Sequence, residues 1–237
     1  MSKSLIYTTL VFIFALLVCV FVFCNNIRDR HNFSIHASRL SEITSSLKHY
    51  DSIKGSLPGA QYRNHTGQLC CSWRLLVMEF LVQAPGCDID QPWNTGPNKS
   101  YSPNGVRWFC YEYLVDEPAN PRADISVAIG DGTPFQMTSS MPMSKVDDET
   151  ILIFQRRGVA PNWMAPGDTS IDQIDSSLFK GMEGNGILVG FADNQVWEIA
   201  PNVPVETFKI FLLPTRPIGI SREKMLRKYC RRVWFEN

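Results

Sequence analysis

The hydrophobic pattern of this chain changes twice. From Leu5 to Cys24 the sequence LIYTTLVFIFALLVCVFVFC runs without a charge, a proline or a glycine. Twenty residues rising ~1.5 Å each span about 30 Å, the thickness of a bilayer's hydrocarbon core. A signal peptide has a shorter apolar region, roughly 7–15 residues, and a small-x-small exit. The exit here is CVFVFCNN, so the pattern predicts an uncleaved transmembrane helix over 5–24, after a short segment 1–4. The apolar positions then thin to one stripe: Phe33, His36, Leu40, Ile43, Leu47 and Tyr50, spaced 3-4-3-4-3. That is one face of a helix, with Ser, Thr, Arg and Glu opposite. Gly55 and Pro58 supply the stop. The expectation is one long helix, membrane-spanning and then amphipathic over 25–58, with NNIRDRHN the place where it would break if it broke.

Beyond Gly59 the apolar runs shorten, and Pro and Gly punctuate them. SWRLLVMEFLVQ, 72–83, predicts a short helix with Ser72 as N-cap. PWNTGPN, 92–98, reads as a loop. VRWFCYEYL (106–114), ADISVAIG (123–130) and TILIFQRR (150–157) read as strands rich in β-branched and aromatic residues. GILVGFA and QVWEI form a hairpin turning at Asp193-Asn194, residue types that tolerate positive φ. VETFKIFLL predicts a short closing helix. The fold class expected is α+β: a long N-terminal helix packed on a mostly antiparallel sheet, with a globular domain over 59–213.

Composition changes this picture little, and charge and cysteine change it more. The chain is 44% hydrophobic and 19% charged, enough for a core and too apolar for wholesale disorder. Net charge is zero, which argues against a nucleic-acid partner. The balance hides a basic extension at 214–237, with seven Lys or Arg against two Glu. Its Met225, Leu226, Tyr229 and Val233 have helical spacing, which suits either an anionic membrane surface or the edge of the domain. Lys3 precedes the span and Arg28 and Arg30 follow it, so the positive-inside count is near balance. Five cysteines follow the span (Cys70, Cys71, Cys87, Cys110 and Cys230) with no CxxC or Cys/His zinc pattern. They predict one or two disulfides and an extracytoplasmic, periplasmic body.

The order of motifs resembles a known family. LKHYDSIKGSLPGA, SWRLLVMEFLVQ, QPWNTGPN, ISVAIGDGTPF, VDDETILIFQ and APNWMAPGD follow one another in the sequence. Their order resembles that of pilin-like proteins of planctomycete type, relatives of the major pseudopilin of type II secretion that carry a domain of unknown function. The resemblance covers about residues 37–213. The positions carrying it are Ser72, Trp73, Arg74, Pro92, Trp93, Trp163, Pro166, Asp168, Glu183 and Asp193. The family's closing motif is His, nine residues, Asp-Gly; here Glu183 takes the place of the His and Asn194 that of the Gly. The resemblance implies a pilin-like fold and partners among membrane lipid, other pilin-like subunits and secretion-type assembly proteins. Type IV prepilins have a Gly before the span and a Glu five residues into the mature helix. This chain has no Gly there and its first Glu is Glu42, so it reads as a divergent member without a recognisable prepilin peptidase site.

Candidate chemistry is sparse. All four histidines, His31, His36, His49 and His65, lie in the first 65 residues. GxSxG, HExxH, P-loop and GxGxxG patterns are absent, so no catalytic residue and no cofactor is expected. Asp147, Asp148 and Glu149 are the calcium candidates, with solvated turn carboxylates as the simpler reading; Asp168, Asp172 and Asp175 form a second acidic group. Trp73, Trp93, Trp108, Trp163 and Trp197 either present a glycan platform or anchor loops to the core. The function expected is that of a membrane-anchored, non-enzymatic structural or interaction protein. The alternative is a permanently anchored binding module for calcium or a glycan.

Overall fold

A computed structural model describes residues 3–82, 87–101, 106–110, 122–180 and 186–234. The chain divides into two compact units, Met1–His36 and Ala37–Asn237. One helix, α1 (Lys3–Lys54), begins in the first and ends in the second without a break. It is long and apolar enough to cross a membrane. Every large apolar side chain from Leu10 to Phe23 is exposed, at 44–70%.

The second unit is α+β. After α1 come β1 (Gln61–Arg63), β2 (Leu69–Ser72), α2 (Trp73–Leu81), α3 (Gly96–Tyr101) and α4 (Val106–Phe109). β3 (Ala123–Ser126), β4 (Ala128–Ile129), β5 (Ile151–Ala160), β6 (Thr169–Ser170), β7 (Ile187–Phe191) and β8 (Val196–Ile199) follow. The chain closes with α5 (Val205–Ile210), α6 (Arg222–Met225) and β9 (Cys230–Trp234). The main sheet has the order β3-β5-β7-β8-β9, antiparallel throughout.

Alternation along β5 and β7 gives the sheet two buried faces. On one, α1 lies across the centre, and Gly190 sets the approach: a Cβ there would stand 2.9 Å from the Ile153 side chain and 3.2 Å from the Thr44 methyl. Leu40, Ile43 and Leu47 of the predicted stripe are buried, each stabilising the packing by about 1.5–3 kcal/mol. Ala37, Ser41 and Thr44 widen the stripe. The Thr44 hydroxyl satisfies itself on the Leu40 carbonyl, 2.7 Å away, so a polar residue costs little in this contact. The opposite face carries an aromatic core of Phe154, Phe179, Phe191, Trp197, Phe208 and Phe211.

Several expectations are corrected. Val106–Phe109 is a helical turn rather than a strand, and 111–114 lie outside the described residues. Its Phe109 stacks on Trp163, centroids 5.5 Å apart, and meets Trp73 edge-on. That aromatic packing overrides the β propensity of the segment. The 123–130 strand is split at Val127. The Asp193-Asn194 turn holds, but Asn194 alone takes positive φ, at 70°. The stretch from Pro214 supplies β9, the outermost strand of the sheet. It is not one helix: α6 ends at Met225, and Leu226 is buried in the aromatic core with Met225, Tyr229 and Val233 packed against it. Among the described residues there is no disulfide, and the seven cysteines stand free. Cys70 and Cys71 are neighbours on β2 and point to opposite faces. Several thiols bond polar oxygens instead: Cys70 to the Gln68 and Asp90 carbonyls at 3.3 Å, Cys87 to Asn98 Oδ1 at 3.0 Å.

Candidate functional site

The motif residues 72–74 and 163–168 are about ninety positions apart in sequence, and the fold brings them together. Ser72 occupies the N-cap position of α2 but makes no side-chain cap. Its hydroxyl donates instead to the Trp163 carbonyl at 3.1 Å, and its amide donates to the Met164 carbonyl at 2.9 Å. The Trp73 indole N–H donates to Asp168 Oδ1 at 3.1 Å. Arg74, on the first turn of α2, is fully buried. It donates to the Ile125 carbonyl at 2.6 and 2.9 Å, to the Gly167 carbonyl at 3.0 Å and to Asp168 Oδ1 at 2.9 Å. Asp168 Oδ1 also accepts from the Val127 amide at 3.0 Å. Gly167 makes this close approach feasible, because a Cβ there would lie 2.8 Å from the Ala160 Cβ.

The arrangement is a latch. It ties α2 and the 160–170 loop to β3, and it pairs the Ile125 carbonyl of that edge strand and the Val127 amide just beyond it. Burial pushes the Asp168 carboxyl above its ordinary range and the Arg74 guanidinium below its own, against the pull of their mutual charge. Asp168's side chain is 1% exposed and Arg74's 0%, so no substrate reaches the pair.

The Pro92-Trp93 loop is fastened nearby. The Trp93 amide donates to the Cys70 carbonyl at 2.8 Å. Buried Asn98 organises the loop, donating to the Asp88, Gln91 and Pro92 carbonyls and accepting from the Asp88 amide. Trp73, Trp163 and Trp197 are completely buried. They anchor the core and present no glycan platform. Pro166 is half-buried between Trp163 and Asp168.

The calcium candidates meet the closing hairpin. The Asp148 carbonyl accepts from the Asp193 amide at 3.0 Å. Arg222 grips the Asp193 carboxylate with both terminal nitrogens, and its amide donates to Glu149 at 3.0 Å. Arg216 pairs with Asp147 and lies 3.6 Å from Glu149. Arg222 also lies 4.9 Å over the Phe191 ring and 5.3 Å over Trp197, a cation–π seat. The two guanidiniums stand where a cation would, and among the described residues no cluster of His, Cys, Asp or Glu is placed to hold a metal ion. Asp175 bonds its own turn through the Ser177 amide, and those local hydrogen bonds from Ser177 hold its carboxyl below the usual range. Glu183 lies outside the described residues. Arg216, Arg222 and Asn98 are site residues that motif reading missed. The signal for the two arginines was the charge asymmetry between a basic end and an acidic body.

No family model, curated protein or solved structure matches this chain. The geometry therefore defines the class without a relative: an α+β domain in which Ser72, Trp73, Arg74, Trp163 and Asp168 are buried fasteners, with an N-terminal helix long and apolar enough to cross a membrane.

Proposed function

We propose that this chain is a membrane-anchored, non-enzymatic pilin-like or pseudopilin-like protein of the cell envelope, with its globular part outside the cytoplasm. One observation carries the reading. A single unbroken helix exposes only apolar bulk from Leu10 to Phe23 and buries one face against an antiparallel sheet from Ala37 onward. The first stretch is covered by lipid or by the same stretch of another subunit. The ordered motifs support the pilin-like assignment, and the Arg74–Asp168 latch supports a scaffold role, since it fixes loops without exposing a reactive group.

The test is made on the full chain with a C-terminal tag in native membranes. Cysteine-directed cross-linking at Cys19, in the span, is expected to trap multimers. Shortening by a prepilin peptidase would add processing to assembly. A chain that is neither shortened nor trapped contradicts the filament form and leaves the permanently anchored module. The calcium version of that module is disfavoured, because Arg216 and Arg222 already neutralise Asp147, Glu149 and Asp193.

A further inference from the structure

In the second unit, several arginines are matched by acidic partners. Arg74, Arg216, Arg222, Arg227, Arg231 and Arg232 each face a carboxylate. A different arrangement surrounds a cleft of about 360 Å³ between the end of α1, β1 and α2. Leu75 and Met78 form its buried apolar floor, and the Cys87 thiol lines it. At its wall stand Lys54 and Glu79, both exposed, and neither forms an ion pair or hydrogen bond among the described residues. Tyr50 completes the wall from α1. Burial and then the Glu79 carboxylate raise its phenol above the ordinary value, so it stays a neutral O–H donor.

Small-molecule sites are clefts of roughly 300–1,000 Å³ with apolar linings and a few convergent polar groups. A lone anion would be repelled by Glu79 and a lone cation by Lys54. An apolar body bearing both charges satisfies both and covers the floor. We propose that this cleft binds a small zwitterion with an apolar body, of the class of a hydrophobic dipeptide. Its carboxylate faces Lys54 and the Tyr50 hydroxyl, and its ammonium faces Glu79. The site is separate from the latch and from the span.

The probe is leucyl-phenylalanine, titrated calorimetrically into the full chain in detergent micelles. Saturable binding tighter than about 1 mM is expected. Lys54→Met and Glu79→Gln lie on the surface and leave the fold intact; each is expected to weaken binding about tenfold, the equivalent of ~1.4 kcal/mol. The dipeptide with both ends blocked is expected to bind more weakly than either single variant binds the free one, and the free dipeptide to slow maleimide labelling of Cys87. Absence of saturation at about 1 mM, equal binding of the blocked dipeptide, or unchanged affinity in both variants overturns the proposal.

Discussion

Residues 10–23 and residues 37–50 belong to one helix, yet they solve opposite problems. The first stretch has apolar side chains on every side, and all its large ones are exposed. The second has apolar side chains on one face only, and there Leu40, Ile43 and Leu47 are buried beside small Ala37, Ser41 and Thr44. Identical backbone hydrogen bonding supports both, so the difference lies wholly in what covers the side chains. A helix apolar all round needs an apolar solvent; a striped helix needs one partner surface. The two stretches should therefore fail independently.

The largest effect should separate them completely. Asp168→Ala leaves the Arg74 guanidinium buried without its carboxylate, and the domain that receives residues 37–50 should lose about 3–5 kcal/mol. Urea unfolding in detergent measures the loss, while membrane retention of the variant should be unchanged. Next comes a matched pair of substitutions on the same helix. Leu47→Ala empties a fully buried site and should cost the domain about 2–5 kcal/mol. Leu17→Ala, on a side chain 61% exposed, should shift domain unfolding by less than about 0.5 kcal/mol. Equal effects would show that the two stretches are one unit of stability.

Arg222→Ala strips the Asp193 carboxylate of its guanidinium partner, at a cost of about 2 kcal/mol, while the backbone amide at 222 keeps its hydrogen bond to Glu149. Because β9 follows Arg222, hydrogen exchange should rise at residues 230–234 before it rises in β5 or β7. The weakest test is alkaline pH. Burial raises the thiols of Cys71 and Cys110, the latter to about 12, from an ordinary 9.0. The unfolded chain releases these protons near pH 9.0 and the folded chain holds them. Stability is therefore full below pH 9.0 and falls as pH rises above it, by at most ~1.4 kcal/mol per pH unit for each thiol. Urea midpoints between pH 8 and about 10.5 measure the slope.

Periodicity carried the long helix, its change of character, β5 and the closing hairpin, because each is specified by side chains near in sequence. It failed at Val106–Phe109, where Phe109 is fixed by Trp163 and Trp73 rather than by its neighbours. It failed again at β9, whose Arg231 and Arg232 disguise a strand: both pair with Glu198 on the adjacent strand, at 3.6 and 3.5 Å. Such charges are common guards of an open sheet edge. For the site, the motif positions were visible one by one. Their convergence on Asp168 was not, because nothing local links Arg74 to a carboxylate 94 positions away. The arginines at 216 and 222 were legible only as excess charge, without their partners.

Under the proposed function, lipid or a like subunit, not water, covers the first stretch of α1. Cys19 tests it without any substitution, since its side chain is exposed in the folded chain. In intact membranes a water-soluble maleimide should leave Cys19 unlabelled, and in denaturing detergent it should label it fully. Rapid labelling of Cys19 in intact membranes would contradict the account.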